Sequence, residues 1–152
     1  MKKLAFIFFL IASLFGCNSK QEPIEKIKLP ISGTWKLLSG TLIERGDTII
    51  TDYTKSVSFI KIINQTYFSF LKHDLNKGKI STAIFEAGGG TYSLIDSTYT
   101  ENLDYCSARE WEGNTFTFTI TIHNDTLIQQ GIEKIEKSGI NRMNIEKYIR
   151  IK

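Results

Sequence analysis

Thr115-Phe116-Thr117-Phe118-Thr119-Ile120-Thr121-Ile122 is the stretch that decides the fold of this 152-residue chain. Threonines alternate with large apolar residues along all of it, which is the two-residue period of a β-strand with one buried face. A helix would scatter both kinds of residue around its axis. The stretch therefore predicts a strand whose apolar face lies against a core.

Similar alternation recurs on both sides of this strand. It runs through Val57 to Ile63, Thr66 to Leu71 and Thr98 to Tyr105, and the Ile, Thr and aromatic residues of these segments favour a pleated surface. Turn signals such as Arg45-Gly46-Asp47 and Asn124-Asp125 separate the segments, and these residue types tolerate the positive φ of tight hairpins. We expect about ten strands, beginning near Gly33, Thr48, Ser56, Thr66, Lys79, Thr91, Thr98, Thr115, Thr126 and Met143.

The short connections decide how the strands are arranged. Loops of about two to five residues make neighbouring strands antiparallel, and no proline interrupts the chain after Ile31. An open meander would leave its first and last edges exposed, and closure removes them. The sequence therefore predicts an all-β fold, a single antiparallel meander closed into a barrel of roughly 8–10 strands. A short helical turn is expected near 107–113, and Gly88-Gly89-Gly90 predicts a bulge or a sharp bend.

Composition and motifs exclude several classes of function. The chain is 41% hydrophobic and 23% charged, with a net charge of +3, so it fits a globular domain and lacks the basic footprint of a nucleic-acid binder. His73 and His123 are the only histidines and lie far apart, so no metal site is expected. No Gly-x-Ser-x-Gly motif is present, and no serine or cysteine has a recognisable base partner. We expect a protein without catalytic activity and without a cofactor.

The N-terminus has the pattern of a targeting signal. Lys2-Lys3 precede an apolar run from Leu4 to Leu14, which is too short to span a bilayer and has the length of a signal core. Leu14-Phe15-Gly16-Cys17 then resembles the lipobox of bacterial lipoproteins, although a plain secretory signal with a chance cysteine is the alternative. The resemblance implies cleavage before Cys17 and acylation of its thiol, which anchors a protein to a membrane without spanning it.

The lipobox implies a division of the chain and a location. Residues 1–16 are expected to be a lipoprotein signal peptide, 17–30 a lipid-anchored linker, and 31–152 the barrel domain. The expected location is the bacterial cell envelope, and the absence of aspartate after Cys17, where Asn18 stands, favours the outer membrane. The sequence leaves open the side of that membrane and the oligomeric state.

Gly33-Thr34-Trp35 on the first expected strand resembles the Gly-x-Trp signature of lipocalins. That resemblance implies that Trp35 plugs the closed end of the barrel and that an arginine near the C-terminus packs across its ring. A guanidinium on an indole face makes a cation–π contact. Arg150 is the better placed arginine for this contact, and Arg142 is the second choice. The segments Ala87–Tyr92, Tyr99–Glu101 and Ser107–Trp111 also resemble those of uncharacterised lipocalin-like lipoproteins of Bacteroidota-type bacteria.

The loop Ser107–Gly113 is expected to be the longest connection in the meander and to lie over the open mouth of the barrel. Its Arg109 is suited to pairing with a carboxylate, and its Trp111 to covering an apolar ligand. Tyr148 and Arg150 would either hold a ligand carboxylate or, alternatively, pack in the wall and on Trp35. Period alone does not say which strand face points inward. The candidate ligand-binding residues are Arg109, Trp111, Tyr92, Tyr99, Tyr105 and Tyr148.

These features predict a membrane-anchored, lipocalin-like binder of a small apolar or amphipathic molecule. The alternative is a structural lipoprotein whose filled barrel docks another envelope protein. The volume of the barrel interior separates the two, because a ligand needs a cavity of roughly several hundred Å³.

Three hairpin triplets, with Thr48, Ser97 and Thr126 at their centres, resemble the Asp-Ser/Thr-apolar acceptor of periplasmic O-glycosylation in Bacteroidota. The resemblance implies that one or more of these hydroxyls carries a glycan. Turn residues followed by strand-forming residues generate the same triplets, so ordinary hairpin chemistry is the alternative.

Overall fold

In a computed structural model of the chain, residues 29–79, 81 and 83–152 are described, and they form nine β-strands with two single 3-10 turns. The expected signal peptide and most of the linker, including Cys17, lie outside the described residues. The strands are β1 (Gly33–Glu44), β2 (Asp47–Asp52), β3 (Val57–Ile63), β4 (Tyr67–Asp74), β5 (Phe85–Ile95), β6 (Thr98–Cys106), β7 (Asn114–His123), β8 (Thr126–Ile135) and β9 (Ile140–Ile151).

Strand β1 closes the sheet on itself. One of its edges pairs with β9 along most of its length, while the other pairs first with β3 at Gly33–Lys36 and then with β2 at Ser39–Glu44. From β3 to β9, each strand pairs antiparallel with the next strand in sequence. The result is an eight-stranded antiparallel barrel with β2 as an extra strand, which confirms the predicted all-β meander.

Two details of the strand prediction need correction. No separate strand begins at Lys79, because β5 begins only at Phe85 and continues without a break through Thr91. The connection from β4 to β5, residues 75–84, is also longer than the 107–113 connection. The latter does contain the expected helical turn, at Arg109–Trp111.

Strand β7 has the orientation that its alternation predicts. Phe116, Phe118 and Ile120 are buried, whereas the threonines between them are exposed. The buried side chains meet the inward residues of the other strands in a core with Trp35 and Tyr99 among its largest members.

The end of the barrel where β1 begins is closed. Trp35 is fully buried, and its Nε1 donates a hydrogen bond to the Ile31 carbonyl at 2.7 Å. The Arg150 guanidinium carbon lies 4.0 Å from the centroid of the Trp35 ring, so the cation–π contact expected between these residues is present. The same guanidinium donates to the carbonyls of Ser32 and Pro30 at 2.7 and 2.5 Å. These bonds hold the incoming chain across the closed end.

Candidate functional site

The opposite half of the barrel contains a cavity of about 310 Å³. Its position follows from β1: Trp35 and Leu37 fill the closed half, but the next inward position along the strand is Gly40, which lines the cavity without a side chain. The volume lies near the lower limit of ligand pockets, which are roughly 300–1,000 Å³. The aromatic part of the wall consists of Tyr53, Phe59, Phe70, Trp111, Phe116, Phe118 and Tyr148.

A buried ion pair forms one part of the polar wall. Lys61 on β3 is 3% exposed and pairs with Glu101 on β6, which is 7% exposed. The Lys61 ammonium also donates to Gln129 Oε1 at 2.9 Å and lies 5.2 Å from the centroid of the Phe68 ring. A charge removed from water needs such partners, and Lys61 has a carboxylate, an amide and an aromatic face.

A second pair lies near the mouth. Arg142 Nε donates to Glu133 Oε2 at 2.7 Å, and the Asn144 side-chain amide donates to the other oxygen, Oε1, at 2.8 Å. The Arg142 guanidinium carbon also lies 5.1 Å from the centroid of the Trp111 ring. Arg142 is therefore the partner of the tryptophan at the mouth and not, as the second choice had it, of Trp35.

Glu146 has a different environment from the other two carboxyl groups. Glu146 is half-buried, and the Tyr148 hydroxyl donates to its Oε2 at 2.8 Å. Burial raises the pKa of Glu146, and the charge of Lys61 lowers it only in part. The pKa of Tyr148 is raised as well, by burial first and by the charge of Glu146 second. The cavity thus contains one carboxyl group without a cationic partner in direct contact.

Two of the predicted ligand-binding residues line the cavity, namely Trp111 and Tyr148. Tyr99 and Tyr92 also point into the barrel, but in its closed half, with ring centroids 5.2 Å apart. Tyr99 is fully buried there, and the Tyr92 hydroxyl donates to the Asn64 carbonyl at 2.6 Å. Their placement in the ligand wall is therefore corrected: both belong to the packed core beneath the cavity.

Tyr105 is 70% exposed on the outer surface, so the structure does not bring this candidate ligand-binding residue to the cavity. Gly90 pairs with Leu103, but Gly89 pairs with Tyr105, which leaves Asp104 as an extra residue in β6. Such a bulge reverses the alternation of the residues beyond it. The bulge expected at the three glycines is present, and it is the reason that Tyr105 points outward.

Arg109 also lies outside the cavity. Its side chain is 80% exposed and pairs with Glu112 at 2.9 Å. The single turn at Arg109–Trp111 directs Trp111 toward the interior, where its ring lies 5.7 Å from that of Phe116. Because one turn of helix cannot direct both side chains to the same side, the predicted pairing of Arg109 with a ligand in the barrel is corrected.

The alternatives for Tyr148 and Arg150 are resolved by their contacts. Tyr148 is 1% exposed and bonds to Glu146, while Arg150 packs on Trp35 at the closed end. The two side chains therefore have separate partners: Arg150 has the expected packing position on Trp35, and Tyr148 lies in the cavity wall.

Sequence reasoning missed the polar residues of the cavity wall. Beside the cavity, β8 points Gln129 and Glu133 inward and β9 points Arg142, Asn144 and Glu146 inward, whereas Ile132 on β8 is 49% exposed. The available signal was the two-residue spacing of ionisable and amide groups along β9 and the four-residue spacing of Gln129 and Glu133 along β8. The missed residues are Lys61, Glu101, Gln129, Glu133, Arg142, Asn144 and Glu146.

Comparison with known proteins gives no family assignment: no protein-family model and no curated protein matches the chain. Among the described residues, no cluster of three or more potential ligands is arranged to hold a metal ion. The described part of the chain also contains no helix long and apolar enough to cross a membrane. Of the predicted glycosylation sites, Thr48 and Ser97 are exposed and Thr126 is half-buried.

Proposed function

We propose that this protein binds a small amphipathic molecule inside its barrel, without catalysing a reaction. The observation that carries the proposal is the cavity of about 310 Å³, with aromatic walls and a small number of inward polar groups. Ligand sites combine these features, since apolar walls supply burial and a few polar groups supply orientation. The fully buried Trp35 under Arg150 supports the further proposal that the barrel is lipocalin-like.

We further propose that the protein is a lipoprotein of the bacterial cell envelope, anchored through Cys17 and located at the outer membrane. The sequence Leu14-Phe15-Gly16-Cys17 supports this proposal. The fold is compatible with it, because Leu29 and Pro30 reach the barrel at its closed end. A tether to this end leaves the mouth, with Trp111, at the far end.

The alternative function, docking of another envelope protein, was tied to a filled barrel. A hollow half disfavours that version, because a docking module has no need of an internal cavity. Ligand binding is therefore the first proposal, and docking is the outcome that remains if the cavity proves to bind nothing.

A bound molecule is expected in the native protein, and native mass spectrometry tests this. Protein released from host membranes in mild detergent should carry a non-covalent adduct of defined mass. Trp111→Ala should lose most of the adduct, since truncating a large aromatic side chain that packs on a bound molecule can cost about 2 kcal/mol, which is roughly thirtyfold in affinity.

Arg109→Ala is the matched control, because it removes a large side chain from the same turn but outside the cavity. This variant should keep the adduct of the wild type. Wild-type protein without any adduct, together with no binding in a screen of small amphipathic molecules, would contradict the binding proposal and favour docking.

A further inference from the structure

The charges around the cavity do not balance. Four carboxyl groups line it, and three of them have a cationic partner: Glu101 with Lys61, Glu133 with Arg142, and Glu86 with Lys72. Glu146 is the fourth. The site therefore has one carboxyl group more than its cations, in a region where burial makes an uncompensated charge unfavourable.

The neighbours of Glu146 cannot supply the missing cation. On β1 it pairs in register with Gly40, and on β8 with Gln129. The nearest ammonium, that of Lys61, is already bonded to Glu101 and to Gln129 Oε1. Gly40 has no side chain to offer Glu146, and the Tyr53 ring lies over that glycine, 3.3 Å from where a Cβ would be.

The rings around the cavity suit a cation as well. An ammonium group is attracted to the face of an aromatic ring within about 6 Å. The barrel already uses this contact for its own cations, with Lys61 over Phe68 and Arg142 over Trp111. The cavity that Glu146 lines also includes the rings of Tyr53 and Phe59, whose centroids are 5.9 Å apart.

We propose that the cavity selects a small molecule with a protonated amine, whose ammonium group binds Glu146 and whose apolar part packs against the aromatic walls. This inference rests on the proposed function and names its ligand class. It replaces the carboxylate-bearing ligand that Arg109 suggested, because Arg109 lies outside the cavity and the unpaired group inside it is acidic.

Binding of such a ligand is coupled to the protonation of Glu146. Burial raises the pKa of this carboxyl group, and only its ionised form pairs with an ammonium ion. Affinity for an amine that stays protonated should therefore fall as the pH is lowered through that raised pKa. The titratable groups that line the cavity with Glu146 or interact with its charge are Tyr53 after β2, Lys61 on β3, Glu86 on β5, Tyr99 and Glu101 on β6, Glu133 on β8, and Arg142 and Tyr148 on β9.

Three probes of similar shape test the inference by calorimetric titration: 2-phenylethylamine, 2-phenylethanol and phenylacetate. The wild-type protein should bind the amine most tightly. Glu146→Gln should weaken amine binding roughly ten- to a hundredfold, since a charge-assisted hydrogen bond is lost. It should leave 2-phenylethanol within about twofold and abolish the pH dependence. Glu136→Gln, which removes the same charge from an 81% exposed side chain, is the control and should behave as wild type.

The outcomes distinguish failure of the amine inference from failure of the proposed binding function. If 2-phenylethanol or phenylacetate binds wild type as tightly as the amine, or if Glu146→Gln keeps the amine preference, the inference is overturned and the binding function stands. If none of the three probes binds and no adduct is found in native protein, both fall. Even if Glu146→Gln fails to fold, the order of the wild-type affinities for the three probes still tests the inference.

Discussion

Gly33 and Trp35 show why a Gly-x-Trp pattern closes this barrel. Gly33 has φ +143°, and a Cβ at this position would collide with the Arg150 guanidinium. The glycine therefore leaves room for Arg150 to lie on Trp35 and to reach the Ser32 carbonyl. Sequence resemblance gave the residues of this contact, but only the structure explains the glycine.

Gly33→Ala should destabilise the protein more than Gly46→Ala does. Both glycines have positive φ, but a Cβ at Gly46 meets nothing within 4 Å. Both variants therefore have backbone strain, and only Gly33→Ala displaces Arg150. The difference between their free energies of unfolding should be about 1–2 kcal/mol, the size of a desolvated cation–π contact. Urea unfolding measures it, and equal destabilisation of the two variants would remove Arg150 from this explanation.

At the scale of the element, β7 and β9 mark what the sequence could and could not predict. In β7 the apolar residues face inward, so alternation and burial agree. In β9 the inward residues include Asn144, Glu146 and Tyr148, while Ile145 and Ile149 lie on the outer face. A reader who assigns the apolar face to the core inverts β9, because a polar cavity reverses the usual rule and only the neighbouring strands reveal it.

The β4–β5 connection is organised by one carboxylate. Asp74 is 6% exposed; its Oδ1 accepts hydrogen bonds from the backbone amides of Asn76 and Gly78, and its Oδ2 from that of Ile84. These bonds lower the pKa of Asp74, those from Gly78 and Ile84 most strongly. A carboxylate that accepts several amide bonds is held in its ionised form.

The stabilising contribution of Asp74 should be lost in acid. Its folded pKa is lower than the ordinary value of 3.8, so its contribution is complete above that value and is lost as the pH falls through the folded pKa. Asp74→Asn should lower the melting temperature near neutral pH, and the gap from wild type should narrow toward low pH. Asp47→Asn, an exposed hairpin change, is the control. A gap that stays constant down to the acid transition would contradict the assignment.

On the scale of the whole molecule, the two tryptophans mark opposite ends. Trp35 with Arg150 closes one end, and Trp111 with Arg142 stands at the mouth of the other. Both arginines belong to β9, which runs the length of the barrel. The closed topology was predictable from short loops and alternation, whereas the cavity was not, because its volume depends on Gly40 and on the packing of several strands at once.

We predict that Cys17 is acylated and that this acylation anchors the protein to a membrane. Intact mass of the protein from the membrane fraction should show cleavage before Cys17 and the added mass of a lipid. That lipid should carry at least two acyl chains, because a single chain binds membranes only marginally. Cys17→Ser should release the protein from that fraction or leave its precursor uncleaved. An unmodified Cys17 in membrane-bound wild type would refute the lipobox assignment.

The hydrogen bonds from Arg150 to Ser32 and Pro30 fix where the chain joins the barrel, at the end away from Trp111. The point where the chain is attached and the mouth through which a ligand would enter are therefore at opposite ends of the barrel. A sample immobilised on a sensor chip through a tag before Leu29 would present its cavity to the flowing solution. Changing the number of residues between the tag and Leu29 would alter the height of the barrel above the support without changing the residues that line the cavity.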